Sequence, residues 1–136
     1  MLWSSNKKKL YKELIEDIKE EISRSKRFEF NFAVLTAEVS HSSSLGLIKI
    51  LPGKIISTHI IRRYLRGYDK MIGPIKSRYY VVLPHTDKKG ACVVKQRIKN
   101  IAMERNLGDI SIGIAAYSED GTSPDSLLFK SIREKS

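Results

Sequence analysis

The run Phe32-Ala33-Val34-Leu35-Thr36-Ala37, inside a strand predicted over 30–39, constrains the fold more than any other part of the chain. Six successive residues without a charge cannot alternate between core and solvent, so this strand must be central and covered on both faces. The covering elements are legible on either side of it. Over 6–25, Leu10, Leu14, Ile15, Ile18 and Ile22 recur at three and four residues, the period of an amphipathic helix. Asn6 is placed to cap it, and interspersed glutamates and lysines make its solvated face. Pro52-Gly53 punctuates before a second helix at about 54–66, with Ile55, Ile56, Ile60, Ile61 and Leu65 inward. Tyr79-Tyr80-Val81-Val82-Leu83 is a strand by composition, joined to 69–75 by a hairpin connection over 73–77. Thr86 or Asp87 opens a third helix running to about 105, in which Ala91, Val94, Ile98, Ile101 and Ala102 keep helical spacing. A strand follows over 110–117, where Gly113 marks a close backbone approach, and a short helix over 125–133 ends the chain. Helices and strands alternate with no repeat and no linker. The expectation is one α/β domain over 1–136, a single sheet with helices against it.

Composition removes several function classes. No apolar run reaches the roughly 20 residues of a membrane helix, and Leu45 to Ile61 is broken by Lys49, Pro52, Gly53 and Lys54. Polar residues directly after Met1-Leu2-Trp3 leave no apolar secretory segment, so a cytoplasmic location is expected. The single cysteine, Cys92, excludes an internal disulfide and a cysteine-rich metal site. His41, His59 and His85 have no metal-ligand spacing, with each other or with Cys92. No Walker or Rossmann phosphate loop is present, and Ser42-Ser43-Ser44 lacks a nucleophile-elbow context. The formal charge of +10 fits either an anionic partner or merely a repelling, soluble surface. Basic residues are scattered, with clusters at Lys7-Lys8-Lys9 and Arg62-Arg63 but no long basic tail, which argues against a nucleic-acid arm.

Four segments, taken in order, carry a resemblance. Ile110-Ser111-Ile112-Gly113-Ile114-Ala115-Ala116-Tyr117, continuing to Asp120-Gly121, is similar to the SIGIA-x-Y-x-x-DG segment of the GGDEF family, the diguanylate cyclases that join two GTP molecules into cyclic di-GMP. Tyr79 to Asp87 resembles the strand after the GGDEF turn, ending in Leu83-Pro84. Arg27-Phe28 with Phe32 to Val39 resembles the end of the first helix and the first strand, and Asn6-Lys7-Lys8 the entry motif. The match spans nearly the whole chain. It implies a palm-like, α+β fold: a central, mostly antiparallel sheet flanked by helices.

The resemblance also says where chemistry should reside. Joining two nucleotides needs carboxylates that hold a divalent metal to neutralise charge on the phosphate oxygens. Counting back from Leu83-Pro84 puts the family's turn at Ile75-Lys76-Ser77-Arg78-Tyr79. The two glycines are replaced by Ile75 and Lys76, and the acidic pair by Ser77 and Arg78. On the first strand Glu38 stands at the family's first carboxylate, either a weak metal ligand or a partner for a nearby Lys or Arg; the companion position is Ser40. The segment 41–53 matches none of the family's guanine-pocket residues. No catalysis, metal or cofactor is expected.

The family's inhibitory site for its product has the signature Arg-x-x-Asp five residues before the turn. Arg66-Gly67-Tyr68-Asp69 meets that register, and Arg97 falls where the family adds a basic residue from the next helix. A guanidinium can donate two parallel hydrogen bonds to guanine O6 and N7, and a carboxylate can accept from the N1–H and N2–H edge. The alternative is an ion pair at a helix end. Tyr64, Tyr68, Tyr79 and Tyr80 either stack bases or pack in the core. Three functions follow: a cyclic di-GMP receptor without cyclase activity, with a ligand-linked homodimer as a further implication; a ligand-free scaffold for an unidentified protein partner; or a residual GTP-binding enzyme using Glu38.

Overall fold

The computed structural model describes residues 2–39, 61–105 and 109–136, with side chains from Asn6 onward. Its elements are α1 (Leu2–Phe28), β1 (Phe32–Val39), β2 (Lys70–Ile75), β3 (Arg78–Pro84), α2 (Lys88–Glu104), β4 (Ile110–Ala116) and α3 (Pro124–Arg133). The helix expected at 54–66 falls largely outside the described residues, as do the 41–53 segment, His41 and His59; residues 61–63 are helical.

One antiparallel sheet, in the order β2-β3-β1-β4, organises the domain. β1 pairs with β3 from Phe32↔Pro84 to Glu38↔Arg78, and with β4 from Ala33↔Ala116 to Val39↔Ile110. The apolar run thus lies in an interior strand, and its side chains divide by period two between two cores. Ala33, Leu35 and Ala37 join Tyr79, Val81, Leu83, Ile112 and Ile114 beneath Ala91, Ile98 and Ala102 of α2. Phe32 and Val34 join Tyr80 and Val82 beneath Leu14, Ile18 and Ile22 of α1 and Leu127 and Leu128 of α3. No helix among the described residues is long and apolar enough to cross a membrane.

Local chemistry sets the boundaries, at the start of α1 and at the hairpin turn differently from the sequence expectation, and at α2 by choosing between its two candidate caps. The first helix begins at Leu2, so Asn6 lies within it rather than capping it. Asp87, not Thr86, caps α2, its carboxylate accepting from the Gly90 amide at 2.8 Å. The hairpin turn is only Lys76-Ser77, both left-handed (φ 49° and 66°), while Gly73 and Pro74 lie in β2 at an irregularity between Ile72 and Ile75. Gly73 is needed there: its φ is 134°, and a Cβ would come within 2.7 Å of the Arg78 carbonyl oxygen. The expected close approach at Gly113 is present, since a Cβ there would run into the Ser131 carbonyl of α3. Beside it, Thr36 and Ser131 hydroxyls share a buried hydrogen bond of 2.7 Å.

This register gives the sheet two ends that carry the candidate residues. The hairpin end carries Glu38, Lys76, Ser77 and Arg78; the loop end carries Asn31, Lys70, Pro84 and Thr86.

Candidate functional site

At the hairpin end, the five residues that resemble the GGDEF turn do not form one surface. Ile75 packs against the α1–α3 core, Lys76 is exposed, and Tyr79 is 2% exposed inside the α2 core. The Ser77 carbonyl accepts from the Val39 amide at 3.1 Å, tying the turn to the end of β1. Arg78 stands directly across from Glu38, and its Nε donates to Glu38 Oε1 at 2.7 Å. The other carboxylate oxygen, Oε2, receives Lys135 Nζ at 2.9 Å from the C-terminal segment. These two partners, Arg78 first, hold the Glu38 carboxyl below its ordinary range, and Glu38 in turn raises the Arg78 guanidinium. Two fixed positive charges therefore sit on one carboxylate, the charge a divalent ion would bring. Among the described residues, no three of the His, Cys, Asp and Glu side chains come together as a metal site.

At the loop end, Arg66 and Asp69 face each other across a tight turn closed by the Asp69 amide and the Arg66 carbonyl at 3.0 Å. Arg66 Nε donates to Asp69 Oδ2 at 3.2 Å and Nη2 to Oδ1 at 3.1 Å, a bidentate pair; the Arg66 amide adds a bond to Oδ2 at 2.7 Å. The Asp69 side chain is 2% exposed and that of Arg66 43%. Asp69 raises the guanidinium above its ordinary value. Nη2 also donates to the Pro84 carbonyl at 2.9 Å and to Thr86 Oγ1, so Arg66 links this turn to the β3–α2 junction. The guanidinium lies 4.5 Å from the centre of the exposed Tyr68 ring, and Tyr68 meets His85 edge-on at 6.3 Å. Among the described residues nothing bonds to Nη1, the other amine of the fork. Arg97 is exposed on α2 and has no hydrogen bond or ion pair among the described residues.

The structure thus joins Arg66 to Asp69 and Glu38 to Arg78, and makes no contact between Arg97 and the Arg66 pair. Of the four tyrosines, Tyr79 and Tyr80 are buried, Tyr64 packs against the α2 core, and Tyr68 is open. Lys135 and Thr86 are participants that the sequence reading did not single out. Lys135 lies 97 positions from Glu38 with no local signal, whereas Thr86 stood out only as a possible cap.

No protein-family model and no curated protein sequence matches this chain. Solved structures do. A DGC protein from Thermotoga maritima has a TM-score of 0.73 at 15% identity, over 88% of each chain. The active GGEEF domain of a diguanylate cyclase from Vibrio cholerae has a TM-score of 0.75 at 12% identity, over 90% of this chain and 85% of that one. The GGDEF domain of DgcB from Caulobacter crescentus, in complex with c-di-GMP, has a TM-score of 0.74 at 10% identity, over 87% of this chain and 77% of that one. Identities this low establish the fold: a GGDEF-type palm with its antiparallel sheet and flanking helices.

Proposed function

We propose that this domain has the GGDEF fold without the cyclase reaction and serves as a receptor for cyclic di-GMP, bound through Arg66, Asp69 and Arg97. The observation that carries the reading is the posture of Arg66. Its fork is oriented by a buried carboxylate, lies over an aromatic ring, and has one amine, Nη1, with no bond among the described residues. A guanidinium fixed in this way loses little freedom on binding a guanine O6/N7 edge or a phosphate oxygen. Asp69 reads the N1–H and N2–H edge only if Arg66 transfers its bonds to the base, since both carboxylate oxygens now accept from Arg66. Loss of the cyclase reaction is supported at the other end, where Arg78 and Lys135 occupy the Glu38 oxygens.

One observation favours a second reading, a ligand-free interaction scaffold: the near-complete burial of Asp69 makes the Arg66 pair look like a staple for the turn. Thermal unfolding with cyclic di-GMP separates the two. A ligand specific for the folded state stabilises by RT ln(1 + [L]/Kd), about 2.7 kcal/mol at a hundredfold excess over Kd. A rise in Tm is expected; no shift at millimolar ligand leaves the scaffold. In parallel, incubation with GTP and Mg²⁺ should give no cyclic di-GMP above a protein-free control. Product that disappears in Glu38→Gln would instead establish a residual enzyme.

A further inference from the structure

We infer that Thr86 is the positioning residue for the Arg66 fork, an inference that rests on the cyclic di-GMP reading above and names the group that presets its recognition arginine. Arg66 Nη2 carries two hydrogens and faces three acceptors: Asp69 Oδ1, the Pro84 carbonyl and Thr86 Oγ1. Thr86 Oγ1 in turn donates to the Pro84 carbonyl at 2.9 Å, so the hydroxyl and the carbonyl form a joint seat for one amine. The hydroxyl stays in place because the residue around it is fixed. Thr86 is 7% exposed, and its amide donates to the Asn31 carbonyl at 3.1 Å, which binds it to the α1–β1 loop. Its methyl lies over Gly90 in the first turn of α2, where even a Cβ would approach Thr86 Cγ2 to 3.0 Å. Asp69 sets the plane of the fork from inside its own turn; Thr86 anchors the same amine, Nη2, from the opposite segment. A recognition arginine held from two independent segments keeps its geometry when one of them moves.

Thr86→Val keeps the shape and deletes the hydroxyl, while Thr86→Ser keeps the hydroxyl and loses only the methyl. Two measurements are made on the whole chain: calorimetric titration with cyclic di-GMP, and the ¹⁵N–¹H signal of Arg66 Nε without ligand, identified by its loss in Arg66→Lys. Thr86→Val should weaken cyclic di-GMP about tenfold, in keeping with one hydrogen bond to a charged group. It should also broaden or shift the Arg66 signal, and Thr86→Ser should restore both. The inference is overturned if Thr86→Val binds as tightly as the unchanged protein with the Arg66 signal intact, or if Thr86→Ser is as impaired as Thr86→Val. If the unchanged protein does not bind cyclic di-GMP, the proposed function fails instead, and the Arg66 signal alone decides the role of Thr86.

Discussion

Both ends of the sheet hold an arginine–carboxylate pair, and the two pairs are built in opposite ways. At the hairpin end one carboxylate, Glu38, is shared by two cations, and its side chain and that of Arg78 are each about one-third exposed. At the loop end one buried carboxylate serves one guanidinium, which is itself bonded to two further acceptors. The first arrangement satisfies the acid; the second orients the base. Two cations on Glu38 supply the positive charge a metal ion would bring, whereas the guanidinium of Arg66 is held in one orientation by its acceptors. The same two residue types thus make two different ion pairs at the two ends of the sheet.

The largest expected effect breaks the comparison at the loop end. Arg66→Ala should weaken cyclic di-GMP about tenfold to over a hundredfold, the 1–3 kcal/mol of a bidentate contact. Arg78→Ala, at the far end of the sheet, should leave the affinity within about twofold. Calorimetric titration of both variants checks this. Equal weakening by the two substitutions would mean the ends are coupled, or that the ligand sits at neither.

A smaller effect tests the hairpin end. Arg78→Ala removes the cross-strand partner of Glu38 and leaves Lys135 as its only cation among the described residues. For a partly exposed pair the cost is about 1 kcal/mol, read as a fall in Tm of about 3–5 °C in a domain of this size. Arg78→Lys should recover part of it. A Tm unchanged in Arg78→Ala would show that Lys135 alone satisfies the carboxylate.

How these ends could be read in advance differed for physical reasons. The apolar run of β1 forced a central strand because burial on both faces leaves a continuous signature. The antiparallel palm followed from the resemblance, and the register Glu38↔Arg78 realised the ion-pair alternative for Glu38. The turn occupies only the last two residues of the expected 73–77 connection. Lys76-Ser77 lacks the Asn-Gly or Asp-Gly chemistry usual for two consecutive left-handed residues, so Gly73-Pro74 drew the reading although both lie in β2. Lys135 has no sequence signal because its contact depends on the segment after α3 pairing with Ile112 of β4, which no local pattern encodes. At the loop end the Arg66–Asp69 spacing was legible, but the seat for Arg66 was not. Thr86 and the Pro84 carbonyl lie 20 and 18 residues onward and meet Arg66 only because β3 returns alongside β2.

The smallest expected effect is the pH response of Glu38. Its folded-state pKa is lowered by Arg78, then by Lys135. A depressed carboxyl pKa contributes stability that is fully present above the unfolded value of about 4.3, and is lost as pH falls through the lower folded-state value. The unchanged protein should therefore melt higher than Glu38→Gln at pH 7, with the gap narrowing toward zero as the pH drops below about 4. Added salt should shrink the gap at pH 7, because the pair is partly exposed and screened. A gap between the unchanged protein and Glu38→Gln that stays constant down to pH 3 would show that Glu38 contributes through packing rather than charge, and the contrast between the two ends would then rest on geometry alone.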